Sequence, residues 1–244
     1  MPDSEFTQDR ESTPDRKPTQ DGQPTQDREW DGITRAETLK GQGATERQRL
    51  ADAARAYDWP TVLRMVRRQP GLVNVTRPGG RARWAALHQA AHGGAPVEVV
   101  DELVAAGAWR LLRTAEGLTA SDLAARAGHR HLAEALTPVV RQDVPAADLA
   151  EIQWHFHDII RGRVGKAVQK EALRLPELEV LRELSPPRLW FPVPGMYGGF
   201  SFRLDRVEED AVLVTESWSR VAGGSGQRHL VTRHGSVLVA EGFV

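Results

Sequence analysis

The segment Ala86-Leu87-His88-Gln89-Ala90-Ala91 recurs in altered form as Leu50-Ala51-Asp52-Ala53-Ala54 and as Ser121-Asp122-Leu123-Ala124-Ala125. Aligned on Leu50, Leu87 and Ser121, the copies lie 37 and 34 residues apart, a period shared by helix-pair solenoids. A helix pair of this size cannot bury its own apolar face and must stack on a neighbour. The period therefore predicts stacked units offering a binding surface, ahead of an enzyme built around a catalytic centre.

Each copy continues through a turn: Tyr57-Asp58-Trp59-Pro60, His92 to Pro96, and Ala127-Gly128-His129. A second amphipathic helix follows. In the middle copy its apolar residues fall at Val97, Val100, Leu103 and Val104, which is helical spacing. Gly71 and Gly107 stand where such helices end through a left-handed residue.

On these residues the middle copy resembles an ankyrin repeat, whose pattern runs Thr-Pro-Leu-His-x-Ala-Ala-x-x-Gly and later Leu-Leu-x-x-Gly-Ala. Here it reads Ala85-Ala86-Leu87-His88-Gln89-Ala90-Ala91-His92-Gly93-Gly94, then Leu103-Val104-Ala105-Ala106-Gly107-Ala108. The third copy carries Gly117-Leu118-Thr119-Ala120-Ser121-Asp122-Leu123-Ala124, and the first has the alanine pattern with Gly71-Leu72-Val73-Asn74. The Thr-Pro that opens the family's helix is missing. The resemblance spans roughly Glu46 to Arg141. It implies that partners dock on the fingers between repeats and on the concave helix face. It also implies that His88 is structural and bonds the backbone of the neighbouring loop.

The chain has no cysteine, which excludes disulfides and thiolate metal sites. No apolar run approaches the eighteen or so residues needed to cross a bilayer. The polar start Met1-Pro2-Asp3-Ser4-Glu5 is unlike a signal peptide. A cytoplasmic location is the expectation. The net charge of −1 is unevenly spread: residues 47–141 hold 14 Lys/Arg against 8 Asp/Glu, whereas residues 1–46 hold 6 against 11. Such asymmetry steers association.

Four segments follow. Residues 1–45, with Thr-Gln-Asp recurring at Thr7, Thr19 and Thr25, read as a disordered acidic tail. It could lie against the basic repeats and compete with partners. Residues 46–141 hold about three ankyrin-like repeats. Residues 142–184 form a helical cap or linker, with Leu149, Ile152, Phe156, Ile159, Ile160 and Val164 on one helix face and a short helix opened by Pro176. Residues 185–244 are strand-like runs divided by glycines and charged turns, an antiparallel β domain. The expected fold class is a short α-solenoid followed by a helical segment and a small antiparallel β-sheet domain.

Candidates for chemistry are sparse. His88 and His92 have the spacing for one metal, yet Gln89-Ala90-Ala91 between them lacks a catalytic glutamate. No metal and no cofactor is expected. His155 and His157 diverge on a helix. Gly223-Gly224-Ser225-Gly226-Gln227-Arg228 could turn N–H groups toward an anion, but lacks the Lys-Ser/Thr ending of a P-loop and reads as a hairpin loop. Trp190, Phe200 and Trp218 read as core residues of the β domain.

The functional expectation is an intracellular protein-binding module. Its fingers, Asn74 to Trp84 and Ala108 to Gly117, carry Arg77, Arg81, Arg83, Trp84, Trp109, Arg110 and Arg113. Arginine with tryptophan is the make-up of interface anchors, so an acidic protein surface is the expected ligand. The alternative is a small-molecule binder or enzyme with its site in the β domain around Tyr197, Trp218 and Arg228, the repeats serving recruitment. Nucleic acid is the poorer reading, because no recognition helix is apparent. The oligomeric state is left open.

Overall fold

The computed structural model describes residues 28–39, 41–208, 210–219 and 225–242. Most of the acidic tail, and residues 220–224 with the Gly223-Gly224 of the glycine-rich segment, lie outside them.

Three helical hairpins come first: α1 (Gly43–Arg55) with α2 (Trp59–Arg68), α3 (Ala86–Gly93) with α4 (Val97–Ala105), and α5 (Ala120–Ala127) with α6 (Ala133–Leu136). Their starts and stops follow from local chemistry. Asp58 accepts from the Thr61 N–H at the start of α2, and Thr119 and Asp122 cap α5 reciprocally. Gly94 and Gly128 end α3 and α5 at φ of 62° and 78°, a left-handed turn that glycine takes without a Cβ penalty.

The hairpins stack in two layers, α1 on α3 on α5 and α2 on α4 on α6. The small residues explain this closeness. Ala90 and Ala91 are fully buried, and with Leu87, Val100, Leu103, Leu132 and Leu136 they form one continuous core. Asn74 joins the first hairpin to the second: its Nδ2 donates to the Gly107 carbonyl at 2.9 Å, and the Trp109 N–H donates to its Oδ1 at 2.9 Å.

Helix α7 (Ala146–Glu171) follows, kinked at Val164 between Gly162 and Gly165. The turn expected after Pro176 is a 3-10 segment, Leu178–Glu183, not an α-helix. Five antiparallel strands then run in simple order: β1 (Arg188–Val193), β2 (Gly198–Val207), β3 (Asp210–Ser219), β4 (Ser225–Thr232) and β5 (Gly235–Gly242). The molecule is therefore a mixed α+β protein. The inner sheet face packs on α7 through Phe156, whose ring lies 5.0 Å from Phe202 and 6.3 Å from Phe200. Alternation with period two sends Phe200 and Phe202 inward and Ser201 and Arg203 toward the other face.

Two sequence expectations need correction. The segment from Arg28 onward is not a disordered tail. It forms a strap across the edge of β1, with the Trp30 N–H donating to the Trp190 carbonyl at 2.7 Å and the Trp190 N–H to Arg28 at 3.0 Å. Trp30 is 1% exposed and stacks on Trp109, ring centres 5.9 Å apart. A segment poor in apolar residues is ordered here because one indole finds a slot between the repeats and the sheet. Second, Trp190 and Trp218 are not in the sheet core. They are half-buried and stack on each other at 5.3 Å, on the face opposite Phe200.

Candidate functional site

The first finger runs from Asn74 to Trp84 and closes over the face shared by α1 and α3. Between them lies an open groove of about 440 Å³. Arg77, Arg81, Arg83 and Trp84 all line it, so four of the seven expected finger residues converge on one site. Arg47, Arg55, Tyr57 and His92 complete its polar and aromatic wall, and among the described residues no carboxylate lines it.

The cations differ in what they already do. Arg47 is paired with Asp31 at 2.5 Å, and Arg77 is paired with Asp52. Arg55, Arg81 and Arg83 are exposed and make no side-chain hydrogen bond or ion pair among the described residues. Three guanidiniums without a counter-charge around one groove make a positive field that favours an anionic ligand. Beside them, the Trp84 ring lies 5.0 Å from the His92 ring, and Tyr57 Oη shares a 3.3 Å hydrogen bond with His92 Nδ1. Tyr57 and Arg83 also hold left-handed backbone, φ 58° and 54°. Each such non-glycine residue costs about 1 kcal/mol or more, and strain of this kind gathers at ligand sites.

Arg55, Tyr57 and His92 were absent from the sequence expectation. A signal was present: Arg47, Ala51 and Arg55 recur at four-residue spacing, on a stripe that flanks the apolar Leu50 and Ala54.

The second finger, Ala108 to Gly117, belongs elsewhere. Trp109 is 4% exposed and part of the core, so it is not an interface anchor. Arg110 donates from Nε to the Ala135 carbonyl at 2.7 Å. Arg113 pairs with Glu179 at 2.6 Å and donates to the Gly117 carbonyl at 2.7 Å. The Leu111 N–H donates to Glu183 at 2.9 Å, and burial pushes that carboxyl up from its ordinary pKa. These residues join the repeats to the 3-10 segment before the sheet; acidic residues of the chain itself occupy the surface expected for a partner.

His88 and His92 do not face one another. His88 is 1% exposed; Nε2 donates to the Leu112 carbonyl at 3.0 Å and Nδ1 accepts from the Ala85 N–H at 3.1 Å. Burial lowers its pKa to about 4, which keeps it neutral. Among the described residues no group of three His, Cys, Asp or Glu is placed to hold a metal ion. Likewise no helix among them is long and apolar enough to cross a membrane.

In the sheet, Trp218 and Arg228 line one shallow depression with Glu216, which pairs with Arg228 at 2.8 Å. Tyr197 is not part of it: it projects from the β1–β2 turn, 75% exposed, at φ 49°.

No known family model and no curated protein matches this chain.

Proposed function

We propose that the chain is a protein-binding module of ankyrin-like type, and that the groove between α1, α3 and the first finger takes an acidic segment of a protein partner. The two-layer stack of helical pairs, the left-handed glycines after α3 and α5, and the buried His88 bridging to the next loop support the ankyrin-like reading. The observation that carries the function is the groove itself, which among the described residues has three guanidiniums lacking a counter-charge, an aromatic wall and no carboxylate in its lining. Arginine supplies bidentate hydrogen bonds to carboxylates, while Trp84 and Tyr57 offer apolar contact area.

The test is affinity capture from a native lysate with wild type and with Arg55→Glu/Arg81→Glu/Arg83→Glu. A protein retained by wild type and lost from the variant is the expected result. Its purified form should bind wild type with strong salt dependence and the variant weakly. Equal retention by both baits overturns the reading.

A further inference from the structure

A second cleft, of about 660 Å³, lies between the repeats and the outer face of the sheet. We propose that it binds a neutral polyhydroxylated ring, such as a pyranose unit of an oligosaccharide, stacked against Trp218.

The location suits a ligand site, since small-molecule clefts concentrate where two structural units meet and fall in this size range. One wall is the Trp190–Trp218 pair, with ring planes 21° apart. The register explains why the indoles can lie along the sheet. Gly199 pairs with Pro192 on one side and Trp218 on the other, and Gly226 pairs with Trp218 and then Gly242. A Cβ at Gly199 would run into the Trp190 ring and the Phe191 carbonyl. At Gly199 the group that approaches closely is the Trp190 indole itself, which lies over the glycine and forms the cleft wall. The facing wall is also low, built from Pro70, Gly71, Asn74, Ala106 and Gly107.

The rim supplies both acceptors and donors. Glu29 and Asp31 come from the strap, Glu216 from β3, and Arg28 and Arg188 stand among them. Asp31 is offset by Arg47 and Glu216 by Arg228, which leaves the cleft without a dominant sign. Planar carboxylates and guanidiniums bind vicinal hydroxyls in pairs, as they bind one another. The negative face of an indole attracts the polarised C–H bonds of a sugar ring. A phosphate-bearing nucleotide would bring its charge beside Glu29, and a quaternary amine would bring its charge beside Arg28 and Arg188. A neutral ring with many hydroxyls meets neither conflict.

Isothermal titration of the full chain with maltotetraose, cellotetraose, chitotetraose and mannotetraose tests this, with adenosine monophosphate and choline as charged comparators. Saturable binding of at least one tetrasaccharide, tighter than either comparator, is the expected result. Trp218→Ala should weaken it about tenfold or more. Because Trp218 also packs on Trp190, Glu29→Gln is measured beside it as an exposed rim change, with circular dichroism to confirm folding, and should weaken the same sugar. The proposal is overturned by silence across all four sugars, by tighter binding of a comparator, or by affinity unchanged in both variants. The Arg55/Arg81/Arg83 reversal should leave sugar binding intact, which separates this site from the groove.

Discussion

Trp30 and Arg174 grip each other twice. The indole Nε1 donates to the Arg174 carbonyl at 3.0 Å, and the Arg174 guanidinium lies 5.0 Å from the centre of the Trp30 ring. Arg174 is itself 5% exposed; it bonds Glu177 from Nε and Nη2 and donates to the Arg113 carbonyl at 2.6 Å. One residue pair thus ties the strap, the second finger and the segment before the sheet into one core.

Trp30→Ala should therefore lower unfolding stability by about 3–5 kcal/mol, as expected for emptying a large buried aromatic site. Chemical denaturation would measure it. Gly32→Ala should act in the same direction by about 1–3 kcal/mol, because the added Cβ meets the Phe191 ring and the Arg174 carbonyl. Stability unchanged in both would mean that the strap is not anchored as described.

Glu177→Ala leaves the Arg174 guanidinium buried without its carboxylate and should cost about 3–5 kcal/mol. The double variant Arg174→Met/Glu177→Ala should cost less than the sum of the single changes, since the two groups act as one unit. A double-mutant cycle on denaturation midpoints reads the coupling directly.

His88 makes stability depend on pH. Its unfolded imidazole titrates near 6.5 and its folded one at about 4. Between these values the unfolded chain binds a proton that the folded chain does not. Stability is therefore full above about pH 6.5 and falls as pH drops toward 4, by up to about 3 kcal/mol from this group. His157, also lowered by burial, adds a loss of the same sign. His88→Gln should flatten the fall between neutral pH and about pH 5 in melting curves, at the cost of lower stability at neutral pH.

Arginine changes should split into two classes. Arg81→Glu or Arg83→Glu should leave the melting temperature nearly unchanged, as exposed substitutions do, while slowing partner association and reducing its salt dependence. Arg113→Glu should instead lower stability, because it places a negative charge against Glu177 and Glu179. Surface-plasmon association rates and thermal melts on the same samples distinguish the two.

The helical hairpins and the strand meander were legible because both are written in short-range patterns. Spacing of three and four, alternation of two, capping residues and turn glycines each act within a few positions, so Val97 to Val104 and Phe200 to Leu204 declared themselves from their neighbours alone. Arg81, Arg83 and Trp84 could be placed on a finger for the same reason. What tertiary structure decided is which exposed-looking residues meet another part of the chain. Trp109, Arg110 and Arg113 have the composition of an interface, and they form one, but their acidic partners Glu177, Glu179 and Glu183 lie some 64 to 72 residues away in the same chain. Trp30 sits in a polar stretch and becomes core only through Arg174, 144 positions later. Trp190 and Trp218 carry the same alternating signal as core residues, and their pairing with Ser201 and Gly199 puts them on the face opposite Phe200. Burial of a side chain is a property of two surfaces, and the sequence near a residue describes only one of them.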